Sequence, residues 1–323
     1  MRFPAPVAAM LSRHGLVGVG WRPLSHNGFS GAELLVSRGP AGGSWVLKRT
    51  RWEDDWIMRA TADVHGREAA FAGRMPVGSA RVRSAAVDSA RAGATFYTLM
   101  HDISGYRIRG RVDRSSAESI LVAMAELHSV SPAAPELPWC RLDDRLLLLT
   151  RGTAELANGH DVHGLRQEVA TGWEVFDRRA PRRVRHLLRA VQDDASFLLT
   201  ALDKLPTASL HGDLKLDNMG LGRAGVLWLI DWALAVRGPA CVELGWFIAA
   251  NASRLEPSPQ HVLELYADTG AFEAGPQHLH DAMTALSGLL LRGWRKALDA
   301  ETGGGAEEFG WWCELAGQAD KFL

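Results

Sequence analysis

The chain has 323 residues, 36 Lys+Arg against 37 Asp+Glu (formal net charge −1), and 47% hydrophobic residues. This length suggests roughly two domains or lobes, and the apolar content excludes a disordered chain. The near-neutral charge argues against bulk electrostatic binding to nucleic acid or to an anionic membrane. Three distant cysteines without CxxC spacing (Cys140, Cys241, Cys313) exclude a disulfide framework or zinc module and fit a reducing compartment. The longest apolar run, 244–250, falls far short of the roughly 18 residues of a membrane span. The N-terminal MRFPAPVAAML is a poor signal peptide. A soluble, cytoplasmic protein is expected.

The first hundred residues read as strand-rich. Segments 31–37 (GAELLVS) and 44–50 (SWVLKRT) are separated by the turn-forming stretch 38–43, as in a hairpin. Residues 63–74 predict a helix, and 80–87 and 94–100 (ATFYTLM) predict further strands. From Ser115 onward the pattern turns helical. Residues 117–128 place Ile120, Met124, Leu127 and His128 on one face. Segments 178–190, 195–205 and those beyond Gln260 predict more helices, with 226–231 (VLWLID) as a late buried strand. The expected fold is α+β and two-lobed: a small β-rich lobe over 1–102, then a larger, mainly helical lobe over 103–323.

The chemistry is concentrated in SLHGDLKLDNMGLGRAGVLWLIDW. There His211, Asp213, Asn218 and Asp231 fall within 21 positions. Asp213 and Asn218 lie five apart beside Gly212, too irregular for one helix face but suited to a loop aimed into a cleft. Asp231 ends an apolar strand. Two carboxylates and an amide oxygen converging there would provide hard ligands for Mg²⁺ and one group to orient an attacking hydroxyl, which is what phosphoryl transfer requires.

HGDLKLDN, with IDW thirteen residues after its Asn, resembles the aminoglycoside phosphotransferase family, the small-molecule branch of the protein-kinase-like fold. The resemblance covers about residues 20–250. It implies ATP or GTP as phosphoryl donor, Mg²⁺, and a small-molecule hydroxyl as acceptor. Asp213 would be the catalytic base or would orient that hydroxyl, and Asn218 and Asp231 would ligate the metal. Lys215 lies inside the loop, placed either to reach the transferred phosphate or to face solvent. His211 would brace the loop.

The same resemblance assigns Lys48 to the α/β-phosphates and Glu68, 20 residues on, as its partner. Residues 25–31 (SHNGFSG) would cover the nucleotide, with Gly28 allowing close backbone approach and Ser30 donating to a phosphate. Met100 and His101 would form the hinge whose backbone holds the base. Glu243, in GPACVEL, stands where the family commonly has an Asp that supports the catalytic loop.

Net charge runs from +5 over 1–105 to −7 over 241–323. The acidic tail suggests a cationic acceptor, such as an aminoglycoside-like, peptide or nucleoside antibiotic in resistance or self-protection. A metabolic kinase for choline, homoserine or a sugar is the alternative, and a non-catalytic pseudokinase a weaker one. His160 and His163 read as a loop. The six arginines over 178–189 read as a solvated helix face more readily than as an anion patch. Trp294, Trp311 and Trp312 would serve the core or an acceptor pocket. Oligomeric state is open.

Overall fold

The structure, a computed structural model, describes all residues except 1, 27, 29, 75–78, 130–135, 155–163 and 272–274. His160 and His163 lie outside the described residues. The N-terminal segment forms a helix that the sequence pattern did not predict, α1 (Ala5–Arg13), with a proline in its first turn. It lays Val7, Met10 and Leu11 on the small lobe's sheet, against Leu47, Tyr97 and Leu99.

The chain continues through β1 (Arg22–Pro23), β2 (Glu33–Arg38), β3 (Ser44–Arg51), α2 (Trp56–Ala60), α3 (Arg67–Phe71), β4 (Val82–Ser84), β5 (Ala86–Ala92) and β6 (Thr95–His101). Five of these strands form an antiparallel sheet in the order β1-β2-β3-β6-β5. Two expectations need correction. The helix expected over 63–74 shortens to α3, because the Asp63 carboxylate accepts the Arg67 N–H and turns 63–66 into a cap. The strand expected over 80–87 breaks at buried Ala85 into β4 and β5, and β4 leaves the small sheet to pair with the larger lobe.

The larger lobe begins with α4 (Arg114–Ser129), α5 (Leu142–Leu147), α6 (Arg151–Ala154), α7 (Leu165–Arg179), α8 (Arg182–Asp193) and α9 (Ser196–Leu202). The single helix expected over 178–190 is two. Ala180, preceding Pro181, is extended (φ −67°, ψ 142°), as the steric demand of the proline ring dictates. The arginines around this break face the acidic tail: Arg178 pairs with Glu301 and Arg183 with Asp320, while Arg189 pairs with Asp177. Two of the tail's carboxylates, Glu301 and Asp320, are thus paired across helix contacts.

Next come β7 (Thr207–Leu210), β8 (Met219–Leu221), β9 (Leu227–Leu229), β10 (Val236–Pro239), α10 (Ala240–Asn251), α11 (Pro259–Ala267), α12 (Gln277–Glu301) and α13 (Ala306–Ala316). β7 pairs with β10, and β9 lies between β8 and the parallel β4. The central helix α12 packs against α10, α13 and α7, and Trp294 and Trp312 are buried there. Among the described residues no helix is long and apolar enough to cross a membrane. All three cysteines are buried thiols.

Candidate active site

The two β7–β10 and β8–β9 ladders hold the 211–218 loop between them. Gly212 is its pivot: φ is +81°, and a Cβ there would lie 1.8 Å from the Leu234 carbonyl oxygen, so only glycine fits. His211 braces the loop. Its Nε2 bonds the Ile230 carbonyl at 2.9 Å, its Nδ1 accepts the Asp213 N–H at 3.2 Å, and its ring packs on Trp232.

Glu243 lies beneath the loop, wholly buried. Its carboxylate accepts the N–H groups of His211 (3.0 Å) and Gly212 (2.6 Å) and pairs with His128 Nε2 at 2.9 Å. Burial pushes its pKa up, but the hydrogen bonds from His128 and from the His211 N–H outweigh that, and the net shift is downward. The extra methylene relative to Asp is therefore accommodated, and the brace reaches two successive amides. Asn251 supports the other end of the loop, accepting the Leu216 N–H (2.9 Å) and donating to the Leu214 carbonyl.

Asp213 is buried at the cleft floor. Its Oδ2 receives Lys215 Nζ at 2.8 Å and the Asn218 amide at 2.8 Å. Asn218 also donates to the Asp213 carbonyl, so its amide nitrogen is committed and its oxygen is left as the acceptor. Burial pulls the Lys215 pKa down, but Asp213 and Asp231 outweigh it and the net shift is upward, so the side chain is a cation.

Across the cleft, Lys48 Nζ sits 2.7 Å from Glu68 and 2.8 Å from Asp231. Burial disfavours the charged amine, yet the two carboxylates hold its pKa above the usual lysine value. Asp231 lies two residues beyond β9, in left-handed backbone (φ +65°) that a non-glycine residue adopts at a cost of about 1–2 kcal/mol. Burial raises its pKa, but the ammonium groups of Lys48 and Lys215 prevail and hold it at about 2.

The remaining sequence candidates lie at the small lobe's edge. The Gly28 N–H bonds His26 Nδ1 at 3.1 Å, and His26 Nε2 reaches the Ala32 carbonyl, closing the 26–32 loop on itself. Ser30 is half-buried in that loop. Met100 is buried within β6. The His101 N–H donates to the Ala85 carbonyl (2.9 Å), and its ring lies tilted against Trp45 at 4.5 Å.

Two arginines escaped the sequence reading. Arg145, buried in α5, donates to the Gly212 carbonyl at 2.5 Å and lies over the Trp246 ring. Arg67, also buried, donates from Nε to the Pro138 carbonyl and from Nη1 to the Ala233 carbonyl, tying α3 to the larger lobe beside Asp231. Nothing in LDDRLL or HGREAAF distinguishes a buried arginine from a solvated one.

Among the described residues no three His, Cys, Asp or Glu side chains cluster as a metal site. A hard cation would thus take two protein oxygens, from Asn218 and Asp231, and complete its shell with phosphate and water, which suits Mg²⁺. The donor chemistry fits: one amide oxygen turned away from its own hydrogen bonds, and one carboxylate ionised through the working pH range.

No curated protein matches the chain. Among solved structures it resembles an aminoglycoside-3'-phosphotransferase of type VIII, with 17% identity, a TM-score of 0.50, and coverage of 88% of this chain and 97% of that one. It also resembles an aminoglycoside phosphotransferase from Alicyclobacillus acidocaldarius, with 11% identity, a TM-score of 0.52, and coverage of 100% and 94%. At such identities the likeness establishes the protein-kinase-like fold. The family model for the phosphotransferase enzyme family (APH) matches residues 21–279, spanning both lobes and the candidate site residues from Lys48 to Glu243. The chain belongs to that phosphotransferase family.

Proposed function

We propose that the chain is a Mg²⁺-dependent phosphotransferase that moves the γ-phosphate of ATP or GTP to a hydroxyl of a small molecule. The observation that carries this is the closeness of two charge sets, Lys48 with Glu68 and Asp231, and Asp213 with Lys215 and Asn218, which meet where Lys215 acts on Asp231. The first set, Lys48 and Glu68 from a lobe spanning 1–102 with Asp231 from the other, would anchor the nucleotide phosphates. The second would serve an acceptor bound by the lobe spanning 103–323.

In this reading Asp213 receives or orients the acceptor hydroxyl, held in one rotamer by Asn218 and Lys215. Lys215, a cation beside the reacting atoms, stabilises charge on the transferred phosphoryl group. Lys48 orients the donor phosphates, and Glu68 fixes Lys48. Bound Mg²⁺, on Asn218 and Asp231, supplies electrostatic neutralisation of the phosphate oxygens.

An antibiotic is the first acceptor to test, with choline, homoserine or a sugar as the metabolic alternative. Glu301 and Asp320 pair with Arg178 and Arg183 outside the tail, while the tail's Arg254 and Arg295 pair with Asp217 and Glu168 outside it, so the tail's charge balance favours neither class. The test is Mg²⁺-dependent release of ADP or GDP over a panel of both compound classes, with Asp213→Ala as the blank. Product formation with one compound establishes the class. Tight nucleotide binding without turnover on any acceptor would favour the pseudokinase.

A further inference from the structure

Beside Asp213 the lobe carries a cation that the phosphoryl-transfer reading does not use. Arg292 projects from α12, its guanidinium carbon 5.6 Å from the centre of the Trp246 ring and 5.8 Å from that of Trp294. Arg145 lies over the same Trp246 ring at 4.7 Å and reaches the Gly212 carbonyl, so this stack abuts the catalytic loop. Arg292 is within electrostatic reach of both Asp213 and Lys215.

Among the described residues no carboxylate pairs with it. Asp213 is held by Lys215 and Asn218. On its own helix and on α7, Asp299 and Glu168 are both paired with Arg295. Among the described residues Arg292 makes no ion pair, and the buried Nη2 of Arg145 and indole nitrogens of Trp246 and Trp294 have no hydrogen-bond acceptor. Every unsatisfied polar atom in this stack is a donor. Arg292 itself is half-buried, so its guanidinium stays open to a ligand, and its planar fork matches an oxyanion. Burial, and then the charge of Arg295, pulls its pKa below the usual arginine value, the direction expected of a cation lacking its partner.

We propose that Arg292, held between Trp246 and Trp294, is the acceptor site's anion-binding residue and takes a carboxylate or phosphate group of the acceptor while Asp213 receives its hydroxyl. This rests on the kinase reading and narrows it to a hydroxylated acceptor that is itself anionic.

The experiment titrates inorganic phosphate and, separately, acetate into protein saturated with Mg²⁺ and the non-hydrolysable ATP analogue AMPPNP, read by tryptophan fluorescence. With the γ-phosphate position filled, saturable binding of either anion is expected, and the tighter one identifies the group. Arg292→Gln should weaken it about tenfold or more, and Arg292→Lys by less. Unchanged AMPPNP affinity in both variants shows that they are folded. No saturable binding to the loaded wild type, or equal binding by Arg292→Gln, overturns the proposal. So does Arg292-dependent binding that AMPPNP abolishes, which would place the transferred phosphoryl group on Arg292 instead. Failure of AMPPNP to bind at all overturns the kinase reading itself. Turnover on matched pairs, glycerate against glycerol and gluconate against glucose, should favour the acid wherever either reacts.

Discussion

At the scale of single residues, the site separates groups by what they hold. Asp213 has no contact with Lys48 or Glu68, the pair that would hold the donor's α/β-phosphates, so Asp213→Asn should lower kcat by about 10²–10⁴ while the nucleotide Kd changes little. Single-turnover kinetics beside equilibrium nucleotide titration check this, and parallel loss of both would refute the assignment. Asp231 makes a pH prediction. Its folded pKa, about 2, lies below the usual carboxylate value, so its contribution is fully present above pH 4 and is lost as pH falls through 2. Mg²⁺·nucleotide should therefore still raise Tm at pH 4.5, if the fold survives there. Asp231→Asn should abolish that Mg²⁺-dependent rise at neutral pH. Asp213, Asn218 and Asp231 were legible in the sequence because their spacing survives any packing. Arg145 and Arg292 were not, because burial and stacking on an indole have no sequence signature.

At the scale of elements, the catalytic loop is rigid because α10 supplies an acid from below. Glu243→Ala would leave the His211 and Gly212 amides and His128 without their acceptor. Breaking a buried pair in this way costs about 3–5 kcal/mol. Urea denaturation would measure the loss, and Glu243→Asp should recover part of it. Helix packing makes a second claim. α10 and α12 cross where Gly245 faces Thr284 and Gly288, and a Cβ at Gly245 would lie 2.4 Å from the Thr284 carbonyl oxygen. Gly245→Ala should cost about 1–3 kcal/mol by overpacking, and a wild-type denaturation midpoint would refute the close contact. Strands β2, β3, β6 and β9 and helices α4, α8 and α9 were readable from their apolar pattern, whereas β7, β10, most of α7 and α10 were not. The short α3 and the break at Ala85 were not, since a side-chain cap and a strand exchanged between sheets depend on partners distant in sequence.

At the scale of the whole molecule, the question is how the lobes are held in register. β4 pairs with β9 across the divide, and Arg67 ties α3 to Pro138 and Ala233. Because Glu68 follows Arg67 directly, this tie sets where the Lys48 partner sits. Arg67→Ala should raise the nucleotide KM several-fold and increase hydrogen exchange in α3, with Asp213 chemistry preserved at saturation. Arg67→Lys should not rescue it, since an ammonium cannot address both carbonyls in the fork geometry. An exchange profile identical to wild type would remove Arg67 from this role.

By itself the sequence determined the family and the order of the lobes, and it singled out Lys48, Glu68, Asp213, Asn218 and Asp231 as candidates that the structure brings together. Only the tertiary structure decided where charge goes. The tail's −7 is a sum over positions, and it does not reveal that two of its carboxylates, Glu301 and Asp320, pair across helices with Arg178 and Arg183. Electrostatic interaction falls with distance in space rather than along the chain, so a charge count cannot tell a paired carboxylate from a free one. The same limit hid Arg292, whose meaning depends on which neighbours are already paired.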